Sequence, residues 1–138
     1  MRDPRKLQVV IRARALAVAT YRFTTSFPAY ERFGLTAQMR RAAVSVASNI
    51  AEGCGRGGER DFLRFLYMAQ GSASEVAIQL AIAVELGFGS PVDAATLADD
   101  IDHVQRMLNR LTNSVRRKLA TGEDPTPSAR AALPAQRL

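Results

Sequence analysis

The sequence predicts an all-α protein, an antiparallel up-down four-helix bundle with a disordered C-terminal tail. Three observations carry this. Apolar residues recur at mixed steps of three and four over four long segments. Short connections separate those segments, which makes antiparallel neighbours the natural packing. No stretch alternates with the two-residue period of a strand. The 138 residues divide into a bundle domain, 1–120, long enough to bury a core without metal or disulfide, and a tail, 121–138.

The first helix runs from about Arg5 to Thr25, with Leu7, Val10, Ile11, Ala17, Val18 and Tyr21 as its apolar stripe. Phe27-Pro28 ends it, because proline disfavours helical geometry in the residue before it. Phe33-Gly34-Leu35 forms a hydrophobic turn, and Thr36 is the expected N-cap of the second helix. There Met39, Ala43, Val46 and Ile50 line one side, while Gln38, Arg41, Ser45, Asn49 and Glu52 line another. At 100° per residue the two stripes stand roughly 130° apart. The glycines of Gly53-Cys54-Gly55-Arg56-Gly57-Gly58 are suited to a left-handed C-cap.

The third helix, about Glu59 to Leu86, carries a heptad in Phe62, Leu66, Ala69, Ala73, Val76, Leu80, Ala83 and Gly87. Glu59 and Asp61 favour its positive N-terminal end. Gly71-Ser72 marks a place where another helix packs closely, since a mid-helix glycine otherwise costs about 1 kcal/mol. Ser90-Pro91-Val92-Asp93 starts the fourth helix, with serine as cap and proline at the first helical position. Leu97, Ile101, Val104, Leu108, Leu111 and Val115 continue the pattern to about Leu119. From Thr121 onward periodicity is lost, and Ala, Pro and Arg leave little to bury.

One cysteine, Cys54, makes no internal disulfide, so a reducing compartment and a cytoplasmic location are expected. Arg12 and Arg14 interrupt the apolar run that a secretory signal needs. No uncharged stretch approaches the ~20 residues of a membrane span. Net charge is +6, and 17 of the 19 basic residues are arginine. Residues 1–64 carry +7, residues 65–104 carry −6 with no basic group, and residues 105–120 carry +5. Such alternation steers a polyanion to one surface, joins oppositely charged subunit faces, or simply solvates the protein.

Candidate chemistry is sparse. Gly53, Gly55 and Gly58 match a dinucleotide-loop spacing, but that loop works only after a strand, and here it follows a helix. Arg56 and Arg60 beside the third helix leave open a single phosphate contact there. His103 is the only histidine, expected on the solvated side of helix four, so no histidine metal cluster or catalytic pair forms within one subunit. Cys54, read as a loop thiol acidified by Arg56, lacks a base and a resolving partner. Ser45 and Ser48 have no activating histidine or lysine on their helix. Glu52 and Glu75 pair only if their helices face each other at that level. No catalytic, cofactor or metal site is expected, and the chain reads as a non-enzyme.

Two polar features remain. The stripe Gln38, Arg41, Ser45, Asn49, Glu52 reads as a hydrogen-bonded network fixing register or subunit orientation, with a ligand surface as the alternative. Arg106, Arg110 and Arg117 share one side of helix four, and Arg5 and Arg12 one side of helix one. Such rows bind phosphates without sequence preference and lose affinity as salt rises. They also serve as a soluble outer face. No aromatics interleave with them, so base recognition is not indicated.

Several residues together resemble one family. Phe27-Pro28, Glu31, Gly34-Leu35, Gln38, Arg40-Arg41-Ala42, Ser45, Asn49-Ile50-Ala51-Glu52-Gly53 and Gly55-Arg56 stand in its order, followed by Phe62, Phe65-Leu66, Ala69, Gly71-Ser72 and Glu75. Over about residues 5–119 the chain resembles the 23S ribosomal RNA intervening-sequence proteins and the related accessory variability proteins of diversity-generating retroelements. The resemblance implies a four-helix bundle assembling as a homopentamer. In the retroelement branch it also implies nucleic-acid binding and partnership with a reverse transcriptase. The shared motif does not choose between the branches. Gly57-Gly58 departs from the polar capping residues common before helix three.

Carried over by position, Arg40, Arg41, Ser45, Asn49, Glu52 and Glu75 match the family signature, and their chemistry marks them as assembly and fold determinants. Nucleic-acid contact falls to Arg5, Arg12, Arg106, Arg110 and Arg117. The expected function is a non-enzymatic homopentameric accessory protein that binds RNA or DNA. The alternative is an oligomeric scaffold for protein partners.

Overall fold

The structure, a computed structural model, describes residues 2–4 and 7–122. It contains four α-helices: α1 (Gln8–Thr24), α2 (Leu35–Cys54), α3 (Glu59–Glu85) and α4 (Pro91–Ala120). A 3₁₀ turn, Ala29–Glu31, interrupts the α1–α2 connection. No strand is present among the described residues. Each helix packs on its neighbours in sequence, α1 closes the ring against α4, and the diagonal pairs stay apart. The fold is the expected all-α bundle. Arg5 and the tail from residue 123 lie outside the described residues.

The core confirms the stripes of the last three helices. Met39, Ala43, Val46 and Ile50 of α2 are fully buried, as are Phe62, Leu66, Ala69, Ala73 and Val76 of α3. In α4, Leu97, Ile101, Val104, Leu108 and Val115 are buried, but Leu111 is only half-buried. Thr112 takes that place, its hydroxyl accepting from Gln70 Nε2 of α3 at 3.1 Å. Ser90 caps α4 as expected, its Oγ accepting from Asp93 N at 3.0 Å with Pro91 next in the helix.

Helix α1 is rotated from expectation. Ile11, Val18 and Tyr21 are exposed, and the buried set is Val9, Val10, Ala13, Leu16, Thr20, Phe23 and Thr24. The two threonines enter the core because Thr20 Oγ1 donates to the Leu16 carbonyl at 2.8 Å and Thr24 Oγ1 to the Thr20 carbonyl at 2.9 Å. A hydroxyl satisfied by its own helix presents mainly its methyl to the neighbours.

Several cap and glycine expectations are corrected. Thr36 is buried inside the first turn of α2, and Gly34 occupies the N-cap without a side-chain bond. None of the glycines from Gly53 to Gly58 has a positive φ; those that do are Gly87, Gly89 and Gly122. Gly53 is instead the close approach. A Cβ there would stand 2.9 Å from Phe65 Cβ and 3.0 Å from Phe62 Cδ1. Gly71, expected to play that part, is exposed with nothing within 4 Å. Gly58 caps α3 with no side-chain bond, and Glu59 is held by Arg2, whose Nη2 lies 2.7 Å from Oε1.

At the opposite end, both connections meet in an aromatic cluster. Phe23 and Phe27 ring centres are 5.4 Å apart, as are Phe27 and Phe88. Gly89, at φ +74°, leaves room for the Phe23 ring, which a Cβ would meet at 2.5 Å. The two inter-helix turns at this end therefore pack as one unit.

Candidate functional site

The arginine row of α4 lies outward because the opposite side of that helix is the core stripe. Arg106, Arg110 and Arg117 are all exposed. Arg106 is engaged, its Nη2 lying 3.0 Å from Asp102 Oδ2 one turn earlier. Arg110 and Arg117 have no ion pair among the described residues. Arg117 joins Arg116, Asn113 and Ala120 around a surface depression of about 480 Å³ near the helix end. From Arg110 to Arg117 the helix rises by about 10 Å, so the two charges are spaced along one line.

Helix α1 contributes to the same flank. Ala19, Arg22 and Phe23 of α1 share a depression of about 330 Å³ with Asp93, Thr96, Leu97 and Asp100 of α4. Steps of seven residues return to nearly the same side of a helix. Arg12 precedes Ala19 by seven, and His103, Arg110 and Arg117 follow Thr96 at sevens. Arg12 therefore lies toward the α1–α4 seam, which is acidic at the Asp93 end, while the α4 row points outward beside it, Arg117 sharing its depression with α4 residues alone. Arg5 falls outside the described residues. His103 is exposed, as expected.

The signature residues of α2 divide in two. Arg40 faces α1: its Nε donates to Thr24 Oγ1 at 2.8 Å, its Nη2 to the Tyr21 carbonyl at 3.3 Å, and its guanidinium lies 4.6 Å from the Tyr21 ring centre. It ties two helices of one protomer. Ser45 and Asn49 face α3. Ser72 Oγ donates to Ser45 Oγ at 2.9 Å, and Asn49 Nδ2 donates to the Ser45 carbonyl and hydroxyl at 2.9 and 3.0 Å.

Beside this network lies a cleft of about 390 Å³ with Gln38, Arg41, Glu75 and Gln79 at its walls. Gln79 is buried, and its Oε1 has no hydrogen-bond partner. Arg41 and Glu75 reach the cleft without an ion pair to each other. Glu52 stands elsewhere, paired with Arg56 at 3.0 Å. Because Ser45 faces Ser72, antiparallel counting sets Glu75 beside Ala42, so Glu52 and Glu75 are separated by about 15 Å along the helices. They form no carboxylate pair.

Nothing in these groups activates a nucleophile. Cys54 is not a loop thiol but the buried last residue of α2. Burial pushes its pKa up, outweighing the lowering by Arg2, with a further raise from Asp3. That reverses the expected acidification. Arg56 is occupied by Glu52 and stands 5.1 Å from the Phe65 ring centre. Among the described residues, no three of His, Cys, Asp and Glu gather as a metal site. Among them too, no helix is long and apolar enough to cross a membrane.

One feature lay beyond the periodicity. The outer α1–α2 face holds a groove of about 570 Å³ whose walls include Tyr21, Phe33, Ala37 and Val44, with Arg32 and Arg41 at its rim. Val44 sits opposite the α2 core stripe, and Phe33 lies in a turn. The signal available was an apolar residue on the polar side of an otherwise well-phased helix.

Among curated proteins, none matches this sequence. In solved structures, the bundle is similar to a protein of unknown function from the S23 ribosomal protein family of Bacteroides thetaiotaomicron. The similarity has a TM-score of 0.68 at 20% identity and covers 75% of this chain and 97% of that one. At that identity it speaks for the fold. Residues 5–110 match the family described as 23S rRNA-intervening sequence protein. With the α2–α3 signature lying within that span and folded into the bundle it requires, this chain belongs to the 23S rRNA-intervening sequence protein family.

Proposed function

We propose that this protein is a cytoplasmic, non-enzymatic accessory protein that assembles as a homopentamer and binds RNA or DNA along its α1–α4 flank. The observation that carries the reading is the outward arginine row of α4, with Arg12 toward the adjoining α1–α4 seam. Arg110 and Arg117 make the main phosphate contacts, because neither is held by a carboxylate. Arg106 contributes less while Asp102 holds it. Assembly multiplies weak contacts, since linked sites raise avidity without new chemistry. In a retroelement setting, the same ring would partner a reverse transcriptase.

Filter binding to a mixed-sequence RNA and DNA across a salt series tests the reading. Affinity is expected to fall steeply with salt, and Arg110→Glu with Arg117→Glu to lower the log–log salt slope by about 2 per subunit engaged. An unchanged slope and affinity would remove the surface assignment. Turnover by the purified protein that Glu52→Gln abolishes would overturn the non-enzymatic reading.

A second reading is favoured by a different observation. Tyr21, Phe33 and Val44 expose apolar area at the α1–α2 groove, as a scaffold for protein partners would. Salt-independent failure to retain any nucleic acid, with assembly intact, would favour that reading.

A further inference from the structure

We propose that the outward row of α3, formed by Glu75, Ile78, Ile82 and Glu85, seats in the α1–α2 groove of a second copy of this chain. The inference rests on the self-association in the reading above and names the two surfaces that make it.

Steps of three, four and three place these four residues on one side of α3, away from the core stripe. Ile78 is 61% exposed and Ile82 42%, with no partner in their own protomer to cover them. Burying such side chains is the main favourable term in association. Gly71 continues the row one turn before Glu75, and its open side faces outward with nothing within 4 Å. A glycine that no helix of its own bundle approaches leaves space for a helix of another.

The groove has the complementary character. Val44 is 41% exposed, Tyr21 45% and Phe33 86%, and Ala37 among them keeps the floor low. Its rim arginines, Arg32 and Arg41, have no ion pair among the described residues. Glu75 and Glu85 likewise have none. An apolar ridge with acidic ends, lying in a segment, 65–104, that contains no basic residue, thus matches an apolar trough with basic edges.

Charge also decides the symmetry. If α3 rows met each other across a two-fold axis, Glu75 would oppose Glu85 in an antiparallel pairing, or Glu75 would oppose Glu75 in a parallel one. Either sets carboxylate against carboxylate. Ridge-into-groove contact avoids this, and in its heterologous form each subunit uses its ridge on one neighbour and its groove on the other. Such contacts close into a ring when the rotation between neighbours divides a full turn.

The test uses the full chain carrying Val44→Cys and Ile82→Cys, treated with a short bismaleimide and run on a denaturing gel. Cys54 is buried, so wild-type protein serves as the unreactive control. The double variant is expected to give a ladder of covalent oligomers, and each single variant none. Ile78→Asp with Ile82→Asp is expected to weaken self-association at least tenfold by light scattering, with helical dichroism retained. Glu85→Arg is expected to weaken it, and adding Arg32→Glu to restore it in part. A double-cysteine variant that stays single-chain on the gel while wild type scatters as an oligomer overturns the surface assignment alone. Dimers from Ile82→Cys by itself overturn the heterologous contact. Monomeric wild-type protein overturns both this inference and the ring.

Discussion

The seam between α2 and α3 and the seam between α1 and α4 are built from different materials. Between α2 and α3 the chain places Gly53 against Phe62 and Phe65 and Ser45 against Ser72, so the helices close toward the Gly53 end and join hydroxyl to hydroxyl, opening only beyond Ser45 at the Arg41–Glu75 cleft. Between α1 and α4 it places Arg22, Asp93 and Asp100 around an open depression. Small residues and internally satisfied hydroxyls permit close packing, whereas long charged side chains hold water between helices. The first seam therefore carries cohesion, and the second leaves its charges available to something outside.

Mutations at the two seams separate these roles. Phe62→Ala should cost about 3–5 kcal/mol, because the ring is fully buried beside Gly53. A urea titration that shows under 1 kcal/mol would deny the seam its role. Gly53→Ala should cost about 1–3 kcal/mol, since the added methyl forces the helices apart. By contrast, Arg22→Ala in the open seam should stay within about 0.5 kcal/mol. An equal loss at Arg22 and Gly53 would erase the distinction.

The end of α2 offers a pH-dependent version of the comparison. Burial raises the Cys54 pKa in the folded state, so the folded thiol keeps its proton to higher pH than the unfolded one. Its contribution is complete below the ordinary thiol range and is lost as pH rises through the raised value. Wild-type stability should thus fall more steeply above that range than that of Cys54→Ala. Parallel profiles would show that the thiol is not in the core.

The legibility of the sequence follows the same contrast. In α2 and α3, apolar and polar residues occupy distinct sides, so Met39, Val46, Phe62 and Val76 declare the core directly. In α1 that contrast fails. Ile11, Val18 and Tyr21 are as apolar as Val10, Leu16 and Phe23, and the buried Thr20 and Thr24 hide among polar residues. Only the carbonyls they bond reveal them as core. Glycines were similarly ambiguous: Gly53 and Gly71 both sit in helices, and which one meets a neighbour depends on inter-helix register. The arginine row of α4 was readable from spacing, while the restraint on Arg106 by Asp102 required the fourth-neighbour pairing to be seen. The α1–α2 groove needed two helices placed side by side, which no single periodicity supplies.

Arg40 stands where α1 ends, with its guanidinium on the Tyr21 carbonyl. The carbonyl end of a helix carries about half a negative charge. Arg40 is therefore a resident counter-ion to α1, and a passing polymer must compete with the protein's own backbone to recruit it. The basic groups behind the formal +6 are therefore not equally available: Arg40 is committed to its own bundle, while Arg110 and Arg117 near the far end of α4 carry no ion pair among the described residues.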